Sequence, residues 1–120
     1  MKKNITIAAL VLIIFVLIFF KRSSPFTPSP VTLYENCNYG GASASVNIGD
    51  YASMDKINFK NDSLSSLKIP AGMKVVLYED NYFKGKSVTL FKDVSCLDSI
   101  QMKGFQNWND KTSSLKVSVA

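Results

Sequence analysis

Beyond Phe20 the chain alternates apolar and polar residues in short runs. Val46 and Ile48, Leu67 and Ile69, Val75 and Leu77, and Val88 and Leu90 stand two apart, Leu115, Val117 and Val119 continue the pattern, and Leu33 begins it. A period of two over short runs bounded by turn residues predicts β-strands, and no helical period interrupts residues 31–120. Short strands with frequent turns predict an antiparallel sandwich. About ninety residues suffice for one small core.

The first twenty-two residues follow a different pattern. Ile5 to Phe20 is sixteen residues long with Thr6 as its only polar member, and Lys2, Lys3, Lys21 and Arg22 flank it. As a helix it would span roughly 24 Å, short of a bilayer core of about 30 Å. The flanking lysines extend that reach by snorkelling. Residues 1–22 are therefore expected to form a transmembrane anchor, with residues 5–20 in the membrane. A cleaved signal peptide is the alternative, but Lys21 to Pro25 offers no small-x-small cleavage site. Basic residues at both ends leave the orientation open. The folded part is expected outside the cytosol, on a single-pass anchor or secreted after cleavage. Residues 23–30 carry Pro25, Pro28 and Pro30 and read as a semi-rigid linker. At about 3 Å per residue it would hold the domain roughly 25 Å from the surface.

The folded part contains an internal repeat, 31–73 and 74–120. Asn61-Asp62-Ser63-Leu64-Ser65-Ser66 runs into Leu67-Lys68-Ile69, and Asn109-Asp110-Lys111-Thr112-Ser113-Ser114 runs into Leu115-Lys116-Val117. Upstream, Val31-Thr32-Leu33-Tyr34-Glu35 matches Val75-Val76-Leu77-Tyr78-Glu79. Five residues past each Tyr stands a second aromatic, Tyr39 or Phe83, and two further on a Gly, Gly41 or Gly85. The copies lie 44 residues apart at Tyr34/Tyr78 and 48 apart at Asn61/Asn109. The second repeat thus carries about four extra residues in the loop before its polar turn, where insertions are tolerated. Gly41 and Gly85 sit where a hairpin needs positive φ. The aromatics read as hairpin packing, and Trp108 as a core wedge beside the second turn.

Charge changes the picture little. The formal net charge is +5, but four of the fourteen basic residues flank the apolar segment and all nine acidic residues lie at or beyond Glu35. The folded part carries ten Lys against those nine, which argues against a nucleic-acid partner. The chain holds no His, no nucleophile elbow and no phosphate-binding Gly loop, so an enzyme is not expected.

The two turns offer amide, carboxylate and hydroxyl oxygens, a donor set for a hard cation such as calcium and not for zinc. The same residues also cap turns through their own hydrogen bonds. The repeat favours calcium. Together, the aromatic-x4-aromatic-x-Gly and N/D-N/D-x-x-S/T-S motifs, present in both halves, resemble a two-motif βγ-crystallin domain of the microbial type over residues 31–119. The resemblance implies an all-β sandwich of two Greek-key motifs about a pseudo-twofold, with two antiparallel four-stranded sheets that exchange a strand. It also implies two calcium ions sharing ligands crosswise between the turns. The implied ligands are Glu35, Asn61, Asp62, Ser63 (through its carbonyl) and Ser65, and Glu79, Asn109, Asp110, Lys111 (through its carbonyl) and Ser113. Ser66 and Ser114 would support the turns.

This chain departs from the pattern in two places. The ammonium of Lys111 lies in the second turn and is expected to weaken cation binding there. Lys60 stands where the second repeat has Trp108, so the two corners pack differently. Cys37 and Cys96 form a disulfide or remain two free thiols, and an extracytosolic location permits the former. Functionally, the sequence points to a membrane-tethered calcium-binding module, structural or adhesive in effect. The alternatives are a metal-independent domain of the same fold that contacts protein or glycan, and a durable capsule or envelope component.

Overall fold

The computed structural model describes residues 26–104 and 106–120. The expected anchor at 1–22 lies outside the described residues, and among them no helix is long and apolar enough to cross a membrane.

Among the described residues seven strands form two antiparallel sheets: β1 (Val31–Asn36), β2 (Gly40–Val46), β3 (Gly49–Tyr51), β4 (Ser66–Lys68), β5 (Met73–Asp80), β6 (Lys84–Leu90) and β7 (Ser114–Val119). One sheet has the order β2-β1-β4 and the other β3-β7-β5-β6. Strand β3 belongs to the first repeat by sequence yet pairs with β7 of the second, Asp50 opposite Lys116. This is the expected exchange between halves.

Each repeat opens with the same hairpin. A 3-10 turn, Cys37–Tyr39 or Asn81–Phe83, joins its strands. Pairing shifts register so that Glu35 stands opposite Gly41 and Ala42, and Glu79 opposite Gly85 and Lys86. Gly41 has φ +74° and Gly85 φ +76°, and a Cβ there would stand 2.7 Å from Asn36 Nδ2 and 2.6 Å from Asp80 Oδ2, respectively. A side chain at either glycine would be both strained and crowded. The aromatic pair of each hairpin packs edge to face, Tyr34 on Tyr39 at 5.7 Å and Tyr78 on Phe83 at 5.6 Å. The Lys68 and Lys116 ammonium groups cap the outer rings at 4.7 and 4.6 Å.

Alternate residues of β1 and β5 are buried, Val31, Leu33, Met73, Val75 and Leu77 all belonging to one hydrophobic core. Trp108 is buried, as its place beside the turn suggested. In the first repeat the wedge is Phe59, one residue earlier than the exposed Lys60. Not every period-two residue is inside: Ile48, between β2 and β3, and Val119, at the end of β7, are each 47% exposed.

The first sheet has three strands and not the expected four. Its fourth member is reduced to one bridge, Leu67 with Val94. The neighbouring ladder positions are diverted. Ile69 N donates to Asp93 Oδ1 at 2.7 Å, and Ser65 O accepts from Leu97 N, at 2.7 Å. A disulfide holds the same segment, joining Cys37 to Cys96 with their Cα atoms 4.6 Å apart, inside the range such bonds need. It ties the first hairpin to the long loop of the second repeat.

Candidate metal-binding site at the paired polar turns

The polar turns, Asn61–Ser66 and Asn109–Ser114, sit side by side at one pole of the sandwich. Each is first fastened to its own hairpin. Ser65 N donates to Tyr34 O at 3.0 Å, and Ser113 N to Tyr78 O at 2.9 Å. The Ser66 hydroxyl donates to Asn36 O at 2.6 Å and accepts from Tyr39 N at 3.0 Å. The Ser114 hydroxyl does the same with Asp80 O at 2.5 Å and Phe83 N at 3.0 Å. Both serines are fully buried, so the last position of each turn closes the hairpin.

The turns are then fastened to each other, with matching bonds in both directions. Asp62 N donates to Thr112 O at 3.2 Å, and Asp110 N to Leu64 O at 3.0 Å. The Ser65 hydroxyl donates to Asp110 Oδ1 at 3.1 Å, and the Ser113 hydroxyl to Asp62 Oδ1 at 3.2 Å. Asp62 and Asp110 adopt left-handed backbone, φ 54° and 56°, which a short polar residue tolerates better than a bulky one. That conformation aims each amide and carboxylate at the opposite turn. Ser65 and Ser113 are 5% and 7% exposed, so both hydroxyls work largely out of water.

Eight of the ten residues singled out by sequence, all but Glu35 and Glu79, belong to these turns. The cross-turn bonds leave the carbonyls of Ser63 and Lys111 uninvolved, while the Ser63 hydroxyl is spent on Lys60 O at 2.6 Å. Lys111 and Asn61 are exposed. Asn109 donates through Nδ2 to Asp110 Oδ2 at 3.4 Å, and its buried Oδ1 has no hydrogen-bond partner among the described residues. Glu35 and Glu79 are half-buried, one residue beyond the carbonyls that anchor the turns. Among the described residues no hydrogen bond joins either carboxylate to the turns, and no three His, Cys, Asp or Glu converge. Any ion here would rest on mixed oxygen donors, with few carboxylates.

Beside the first turn lies an open cleft of about 460 Å³ lined by residues including Ser53, Asp55, Asn61 and Asn81. The Ser53 hydroxyl donates to Asp55 there and holds its carboxyl below the ordinary carboxylate range. Sequence reasoning did not find this cleft, because Ser53-Met54-Asp55 resembles neither motif.

A double Greek key with two polar turns bonded to each other at one pole defines a βγ-crystallin-type sandwich. Relatives agree. No protein-family profile matches the chain. It is 37% identical to a βγ-crystallin domain from Flavobacterium johnsoniae, with a TM-score of 0.65 over 74% of this chain and 93% of that one. It is 36% identical to a βγ-crystallin domain from Clostridium beijerinckii, with a TM-score of 0.63 over 73% and 95% of the two chains. The chain belongs to the βγ-crystallin family. It is also 25% identical, over 89 residues, to a development-specific protein S homolog from Myxococcus xanthus, matching 72% of this chain and 46% of that protein. The chain thus spans about half the length of the curated relatives it matches.

Proposed function

We propose that this protein is a membrane-tethered, non-enzymatic calcium-binding module with a structural or adhesive role. Two calcium ions lie between the paired turns, one at Ser65 and Asp110 and the other at Ser113 and Asp62. The carbonyls of Ser63 and Lys111, the amides of Asn61 and Asn109, and Glu35 and Glu79 complete the shells.

The observation that carries this reading is the reciprocal Ser–Asp pairing. Neighbouring oxygens around a calcium ion at 2.3–2.6 Å lie about 3 Å apart, and the two Ser–Asp pairs stand at 3.1 and 3.2 Å. Binding exchanges two hydrogen bonds for two ions without moving the backbone that aims them. The buried, unpartnered Asn109 Oδ1 supports the same reading, since an isolated buried carbonyl is costly unless something polar reaches it. Every donor is oxygen, which suits a hard cation. The small number of carboxylates suits a dissociation constant in the micromolar-to-millimolar range of sensors and extracellular modules.

The ions would supply positive charge where two carboxylates and several carbonyls meet, locking the two halves together. The unfolded chain lacks that pairing, so calcium at about one hundred times its dissociation constant adds about 2.7 kcal/mol per site. Melting curves of the protein in EDTA and in excess calcium test this: the melting temperature rises with calcium. An unchanged melting temperature removes calcium from the account and leaves the fold standing.

A further inference from the structure

Exposed hydrophobic residues cluster at the pole opposite the polar turns. Among the described residues the large exposed hydrophobics are Phe26, Ile48, Tyr82, Phe91 and Val119, and four of the five gather at that pole. Val119 pairs with Met73 at the start of β5. Phe91 follows Leu90, which pairs with Val75. Ile48 lies between Val46, which pairs with Val31, and Gly49, which pairs with Val117. The Phe26 ring lies on Gly72, where a Cβ would stand 2.5 Å from its Cε2. Phe91 and Gly72 also line one open cleft of about 530 Å³ with Ile69, Ala71, Lys92 and Asp93. Only Tyr82 is at the polar-turn end, a strand length of roughly 25 Å away.

The apolar run ends at Phe20, six residues before Phe26, which at full extension is at most about 20 Å. Because Phe26 is already packed on the domain, residues 26–30 do not serve as free linker, and the expected standoff of roughly 25 Å shrinks. Lys21 and Arg22 lie in that short connection, and Lys92 lies in the cleft. Asp93 is engaged by Ile69 N at 2.7 Å.

We propose that this pole is a docking face for the lipid surface in which residues 5–20 are anchored. Phe26, Phe91 and Val119 enter the interfacial zone, and Lys92 meets anionic headgroups. Aromatic residues are favoured at that depth, and an exposed apolar patch with a polar rim is a feature of protein and membrane contact sites. The face would orient the sandwich with its polar turns pointing away from the bilayer. The proposal rests on the tether reading above.

The test uses the full chain reconstituted into mixed phosphatidylcholine and phosphatidylglycerol vesicles. Spin labels are placed at Phe91→Cys or Tyr82→Cys, both exposed positions. Co-flotation with the vesicles is scored first, then label accessibility to oxygen and to a water-soluble nickel chelate. The proposal expects co-flotation, with an oxygen-to-nickel ratio at 91 several-fold above that at 82. Co-flotation with equal ratios overturns lipid docking and leaves the tether standing. Failure to float removes the tether and this inference together. Spin–spin broadening at 91 that vanishes on dilution with unlabelled chain assigns the face to a second copy and also overturns the proposal.

Discussion

Ser65 and Asp110 are 45 residues apart in sequence, yet the Ser65 hydroxyl donates to Asp110 Oδ1 at 3.1 Å. Ser113 and Asp62 repeat the bond from the other side, 51 residues apart. Each is a hydrogen bond between the two halves of the sandwich, and in EDTA each should contribute about 1 kcal/mol. A double-mutant cycle with Ser65→Ala and Asp110→Ala, read by urea unfolding, should return a coupling of that order without calcium. In excess calcium the coupling should grow, because both groups then hold the same ion.

Lys111 sets the asymmetry between the turns. In the proposed site only its carbonyl is a ligand, and its exposed ammonium would repel a nearby divalent ion by roughly 1 kcal/mol in a water-like dielectric. Lys111→Ser should tighten the weaker site several-fold in a calcium titration. Raising the salt concentration should shrink the difference between variant and parent.

Ser66 and Ser114 hold the hairpins and are not assigned to metal. Each buried hydroxyl serves a carbonyl and an amide. Ser66→Ala or Ser114→Ala should cost about 1–3 kcal/mol by leaving those groups unpaired. The loss in denaturant unfolding should be the same in EDTA and in calcium, unlike that of the Asp110 variant.

Thr112 stands where the first turn has the core residue Leu64. Its side chain is fully buried, and its Oγ1 has no partner among the described residues. Thr112→Val should raise stability by about 1 kcal/mol, since it removes a desolvated hydroxyl without changing shape. Thermal unfolding checks this, and the calcium titration should not change.

The Cys37–Cys96 bond spans 59 residues. Closing a loop of that length restricts the unfolded chain enough for about 4 kcal/mol of stability on the chain-entropy view. Unfolding with and without reductant should show a loss of that order. Thiol labelling should find no free sulfhydryl in the unreduced protein.

Much of this was legible in sequence because it repeats locally. The hairpin needs Gly41 and Gly85 at positive φ, and the aromatic pairs sit at fixed offsets from them. The turns carry their proposed ligands, and the Ser and Asp that bond across, in six consecutive residues each. What escaped was decided by contacts far along the chain. The fourth strand of the first sheet shrinks to Val94 because Asp93 captures Ile69 N, an event no periodicity encodes. Phe59 fills the first corner from one position earlier than Trp108 fills the second, so aligning Lys60 with Trp108 pointed to the difference without finding the wedge. The fourth-position carbonyls of Leu64 and Thr112 join the turns through backbone alone, where side-chain identity carries no signal. Phe26 reads as linker until Gly72 is seen beneath its ring.

Isothermal calorimetry of calcium into the metal-free protein tests the central claim most directly. The account predicts heat with a stoichiometry near two that is lost in the Asp62→Ala/Asp110→Ala double variant. A flat titration of the folded parent, or heat that survives in the double variant, would contradict it.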